Sequence, residues 1–151
     1  MRVVKSLIVV SLIALGLILG YKNHRKTYPE KVASIAPAYL IARNWDNDRE
    51  KDGLEFYLLP KDKKGELIGA YGRIDVSLWR INEKGRKGSL LEEWNVDIAE
   101  GRYDVLKKRI RLEYRNYVPS DEKEEKGYVE IVFKPRSGGS FKSIDGCVIL
   151  N

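Results

Sequence analysis

Four acidic residues stand at every second position ahead of a glycine: Asp46, Asp48, Glu50 and Asp52, before Gly53. Oxygen ligands at such spacing are what a hard cation such as Ca²⁺ requires, and the run from Asp48 to Gly53 imitates the opening of an EF-hand loop. The imitation fails at the twelfth position, which is Leu59 rather than a bidentate glutamate, while Arg49 and Lys51 offset the charge. These four carboxylates are the candidate metal ligands, and Ca²⁺ is the one candidate cofactor. The plainer alternative is a solvated loop between strands.

A second set is aromatic. Tyr57, Tyr71 and Trp79 fall at positions that alternate with apolar neighbours, so each is expected on the face opposite the core. Together they would make an outer platform for a sugar or a peptide, although outward aromatics are also ordinary cross-strand partners. Lys107, Lys108, Arg109, Arg111 and Arg115 form a basic stripe, with Lys84, Arg86 and Lys87 in an earlier loop. Such stripes can face phosphates or an anionic membrane, or can be a charged outer strand face opposed by acids on its neighbours.

Catalysis finds little material. The one histidine, His24, lies beside an apolar segment, where it is poorly placed to act as a base for a serine or for Cys147. No glycine loop for phosphates and no zinc-spaced Cys/His set occurs. The expectation is a chain that is not an enzyme.

Compartment is decided by the run from Leu7 to Leu19, thirteen residues without a charge. A bilayer core of ~30 Å needs about 20 helical residues, and a run of this length is also typical of a signal peptide. No small-x-small pair suits cleavage, so a retained hydrophobic helix over residues 1–21 is favoured, with secretion as the outcome if it is cut. Arg2 and Lys5 precede the run while Lys22, Arg25 and Lys26 follow it; the flanks nearly balance, and the short amino-terminal tail favours a domain outside the cytoplasm. Residues 22–36 read as a linker or stalk, and residues 37–151 as one domain.

The formal charge of +6 is misleading as a sign of nucleic-acid binding. Residues 1–26 hold five of the 28 basic residues and none of the 22 acids, which leaves 23 basic and 22 acidic residues, a net +1, for everything after them. No nucleic-acid partner is expected. A lone cysteine, Cys147, excludes an internal disulfide and reads as a small buried residue. The absence of glutamine, the single threonine and the abundance of Lys, Arg and Glu resemble the bias of heat-adapted proteins, so a thermophilic source is expected.

The elements that must position these residues are short alternating segments divided by Gly, Asp and Asn, which is the strand signature. Strands are expected at Tyr39 to Trp45, Leu54 to Leu58, Gly72 to Ile81, Leu90 to Ala99, Tyr128 to Lys134 and Phe141 to Leu150, the last bent near Gly146. Residues 103–118 fit a helical stripe, but Ile110, Leu112 and Tyr114 alternate with a charge at every outward position, the stricter match, so a strand is expected there too. A hairpin between the second and third strands would set Glu55 opposite Arg73 and Tyr57 opposite Tyr71.

The fold class is therefore all-β: a single antiparallel sandwich of about seven strands behind an N-terminal hydrophobic helix. The meander of strands, Trp45 and Trp94 on inward faces, and the penultimate strand Gly127-Tyr128-Val129-Glu130-Ile131-Val132-Phe133 resemble immunoglobulin-like or fibronectin type III-like domains. That resemblance is architectural, covers roughly residues 37–150 and lacks the paired cysteines of true immunoglobulin domains. It implies adhesion, spacing or ligand presentation: a membrane-held module of a cell envelope with a protein or glycan partner, or else a carbohydrate- or calcium-binding module.

Overall fold

The computed structural model describes residues 31–98, 109–120 and 124–150, and the described residues contain seven strands and no helix. The apolar run at Leu7 to Leu19, His24, Lys107 and Lys108 lie outside the described residues, as does the side chain of Cys147. In chain order the strands are β1 (Ser34–Arg43), β2 (Gly53–Lys61), β3 (Gly72–Ile81), β4 (Lys87–Ile98), β5 (Arg109–Glu113), β6 (Lys126–Pro135) and β7 (Phe141–Ile149). All pairings are antiparallel and fall into two sheets, ordered β1-β2-β5 and β4-β3-β6-β7.

Alternation decides which side chains meet. Leu54, Phe56 and Leu58 of β2, Ile74, Val76 and Leu78 of β3, Ile110 and Leu112 of β5, and Val129, Ile131 and Phe133 of β6 all enter one buried cluster. Each such side chain removed from water contributes roughly 1.5–3 kcal/mol, so this cluster is the main stabilising term. Residues 109–113 form a strand, as their charge at every outward position predicts: Ile110 and Leu112 are buried and Arg109, Arg111 and Glu113 exposed. β7 is irregular where a bend is expected, its register on β6 shifting between Val148 and Asp145.

Two expectations need correction. β2 and β3 do not form a hairpin; they belong to different sheets, so Glu55 pairs with Arg111 and Ile41 rather than Arg73, and Tyr57 pairs with Arg109 and Ala38 rather than Tyr71. The cause lies in residues 62–71. Asp62 builds a tight turn, accepting the N–H groups of Lys64 and Glu66 on Oδ1 at 2.8 and 3.0 Å. After it, the buried Ile68 and Ala70 draw the chain through the core to the other sheet. Trp94 is inward as expected, but Trp45 lies past the end of β1, half-buried and outside the core cluster.

The first strand starts at Ser34, earlier than Tyr39, and Val32 and Ile35 are buried in the core. Within β1 the register on β2 shifts between Ala38 and Ile41, where Tyr39 takes the left-handed backbone conformation, φ 54°. A bulge of this kind re-aims a side chain. Tyr39 is accordingly 81% exposed.

Candidate binding face on the three-stranded sheet

Because Leu54, Phe56 and Leu58 point inward, Glu55 and Tyr57 must point outward from β2, the central strand of its sheet. The register then brings Ile41 and Arg111 beside Glu55, and Ala38 and Arg109 beside Tyr57. Arg43, at the end of β1, completes the group. The result is one carboxylate among three guanidinium groups.

Glu55 is only 7% exposed. Its Oε2 lies 3.0 Å from Arg111 Nε, and its Oε1 lies 3.7 Å from Arg109 Nε and 3.8 Å from Arg43 Nε. Arg109 Nε also donates to Tyr57 Oη at 3.1 Å. That hydrogen bond, with the charge of Glu55, raises the Arg109 guanidinium above its ordinary range. Rings underlie two of the cations: Arg109 sits 5.9 Å from the Tyr57 centroid and Arg111 5.7 Å from that of Trp45. Tyr39 meets Tyr57 edge to face, with centroids 6.4 Å apart at 78°.

Three positive charges around one negative leave a local surplus of two, on side chains about half exposed. Exposed pairs of this sort add little stability, roughly 0–1 kcal/mol each. Their arrangement suits recognition better, since a guanidinium offers a planar fork of donors that matches carboxylate, sulfate or phosphate oxygens.

The acidic loop adjoins this face between Arg43 and Gly53. Asp46, Asp48 and Asp52 bring carboxylate oxygens within 4.8 Å of one another, whereas Glu50 is not in that group. The same oxygens fasten the loop: Asp46 Oδ1 accepts Asp48 N at 3.2 Å, Asp48 Oδ1 accepts Glu50 N at 2.8 Å, and Asp52 Oδ2 accepts Trp45 N. Each of the three retains a second oxygen for which no hydrogen bond occurs among the described residues.

The aromatic platform is divided by the fold. Tyr57 is on the outer face of the three-stranded sheet, half-buried, whereas Trp79 is on the four-stranded sheet with Lys87 Nζ 3.6 Å above its ring. Tyr71 packs against the core just before β3. The basic stripe is divided too: Arg109 and Arg111 join the face, while Arg115 turns to β4, donating to the Glu93 carbonyl. Lys84 and Arg86 lie in the turn between β3 and β4, and Lys87 contacts Glu130 at 3.2 Å.

Sequence reasoning missed Tyr39, Arg43 and Glu55 as members of one site, because their union depends on which strands pair. It also missed Glu92, a buried acid on β4. Glu92 shares inward parity with Trp94 and Ile98, a signal that was available in the sequence. No family model, curated protein or solved structure matches this chain.

Proposed function

We propose that this chain is a non-enzymatic interaction module of a cell envelope, held at the membrane by residues 1–21 with its domain outside the cytoplasm, and that the outer face of β1-β2-β5 is the surface offered to a partner. The observation that carries this reading is the cluster of Arg43, Arg109 and Arg111 around Glu55, bordered by Tyr39, Tyr57 and Trp45. The uncharged run Leu7 to Leu19 supports the anchor.

The finer fold reading is an immunoglobulin-like sandwich of fibronectin type III-like arrangement. The strand orders β1-β2-β5 and β4-β3-β6-β7 support it, corresponding to A-B-E and C′-C-F-G in sandwich notation. Immunoglobulin constant domains instead keep the fourth strand with the first sheet.

Labelling of whole cells tests the topology. Lys64→Cys, in the exposed turn after β2, reacts with a membrane-impermeant maleimide in intact cells expressing the full chain, over the background of the parent, and the labelled protein stays in the membrane pellet after a carbonate wash. Recovery of unlabelled protein in the soluble fraction overturns the proposal.

A second reading, hard-cation binding, is favoured by the convergence of Asp46, Asp48 and Asp52. On this reading CaCl₂ raises the Tm of the full chain and Asp48→Asn abolishes the rise. An equal Tm in CaCl₂ and EDTA disposes of it.

A further inference from the structure

We propose that the outer face of β1-β2-β5 binds an acidic sugar polymer, one bearing carboxylate or sulfate groups along a chain of sugar rings. The inference rests on the interaction-module reading and names the ligand of its surface.

The cation arrangement comes first. Glu55 gathers Arg43, Arg109 and Arg111 through their Nε atoms, and among the described residues no hydrogen bond is made by the Nη groups of these three. A buried acid thus orients three forks whose remaining donors are available to a ligand, and one negative charge cannot balance three positive ones. Oxyanions of the carboxylate or sulfate type complement both the surplus charge and the fork geometry. Arg109 and Arg111 are two residues apart on β5, about 6.6 Å along the strand, and β1 lies two strand spacings from β5, about 9.6 Å across. From these separate backbone positions the three side chains converge, each Nε lying within 3.8 Å of the one Glu55 carboxylate.

The rings supply the second half of the argument. Tyr39 is held 81% exposed by a left-handed backbone conformation that costs a tyrosine free energy, and it extends the Tyr57 ring edge to face. A tyrosine offers an apolar face and a polar tip, which match the C–H face and hydroxyls of a sugar ring.

The surroundings argue against a nucleic acid. Glu113 and the loop acids Asp46, Asp48 and Asp52 stand at the Arg43 end of the face, so the positive patch is short and would neutralise few of the phosphates that a nucleic acid presents. The near-neutral balance after residue 26 points the same way.

The test uses the full chain in detergent micelles, titrated at low salt with polygalacturonate, dextran sulfate, neutral dextran and polyphosphate. The expected result is binding to both acidic sugar polymers that weakens as salt rises, none to dextran, and weaker binding to polyphosphate. Arg109→Ala/Arg111→Ala loses at least about tenfold in affinity, Arg109→Lys/Arg111→Lys at least about threefold, and Tyr39→Ala about threefold. Arg73→Ala/Lys134→Ala, on the other sheet, binds as the parent does. Near-UV circular dichroism matching the parent establishes that the variants fold, and the lysine pair keeps the test decisive if the alanine pair does not. Polyphosphate binding as tight as polygalacturonate, undiminished binding by the lysine pair, or no binding to either acidic polymer overturns the proposal. These outcomes are separate from the maleimide labelling, which alone decides whether the chain is a membrane-held envelope module.

Discussion

Asn116 is held twice by a single carboxylate: its backbone N–H donates to Glu92 Oε2 at 2.7 Å and its side-chain Nδ2 donates to Glu92 Oε1 at 3.0 Å. Arg115 N and Tyr117 N reach the same Oε2 at 2.9 and 3.2 Å. Glu92 belongs to β4, whereas residues 115–117 follow β5, so one side chain fastens the end of one sheet to the other. Glu92→Ala leaves those N–H groups without their acceptor and is expected to lower unfolding stability by about 2–4 kcal/mol, while Glu92→Gln, which keeps an oxygen, costs about 1–2 kcal/mol. Urea denaturation of both variants beside the parent measures the two losses.

The same carboxylate makes stability depend on pH. Burial pushes the Glu92 pKa up, but the backbone N–H groups of Asn116 and Arg115, with the Asn116 side chain and Tyr117 N–H, outweigh burial and leave it below the ordinary 4.5. Asp75 is lowered by its hydrogen bond from Lys134, and Glu130 by that from Lys142. A carboxyl depressed in the folded state contributes stability that is complete above its unfolded value and disappears as pH falls through the folded one. Urea midpoints should therefore hold steady from pH 7 to about 6 and decline below the ordinary carboxylate value. The gap between the parent and Glu92→Gln should narrow over the same acid range; a gap that stays constant to pH 2 contradicts this account.

What could be read from residues alone was local. The alternation of Leu54, Phe56 and Leu58, or of Val129, Ile131 and Phe133, identifies a strand and its buried face because every second side chain must leave water together. Alternation does not say which strand lies alongside. Arg73 and Arg111 are equally good partners for Glu55 by charge, and the choice is made by Ile68 and Ala70, whose burial carries the chain across the core. The arginine cluster around Glu55 depends on that choice, since its arginines come from β1 and β5, about 70 residues apart in sequence.

Gly53 begins β2 against the backbone of β5, where an added Cβ would stand 2.0 Å from the Leu112 carbonyl oxygen. Backbone cannot yield as a side-chain tip can. Gly53→Ala is expected to cost about 1–3 kcal/mol by overpacking, whereas Gly65→Ala meets no atom within 4 Å and costs less, chiefly through its backbone conformation, φ 83°. Thermal melts of the two variants rank them.

The tyrosines at the β5 corner should resist ionisation. Tyr117 Oη donates to Glu125 at 2.6 Å, and its ring meets Tyr114 edge to face at 5.0 Å. Burial raises both phenols well above the ordinary 10.0, with the Glu125 hydrogen bond adding to Tyr117 and the Glu125 charge to Tyr114. Neutral phenols are thus favoured in the fold, and the stability they contribute is complete below pH 10 and falls as pH rises beyond it. Ultraviolet titration should show Tyr114 and Tyr117 ionising only when the fold opens, and Tyr117→Phe should remove one phenol from that late step.

β1 leaves its neighbour at opposite ends for opposite purposes. Ser34 pairs with Lys61 where the chain enters the fold, and Arg43 pairs with Gly53 beside the acidic loop. Nine residue steps separate these points, about 30 Å along a strand. A pull on Ser34 along the strand axis would load β1 in shear against β2, straining its row of hydrogen bonds together rather than one by one, with the Arg43 end furthest from the pull.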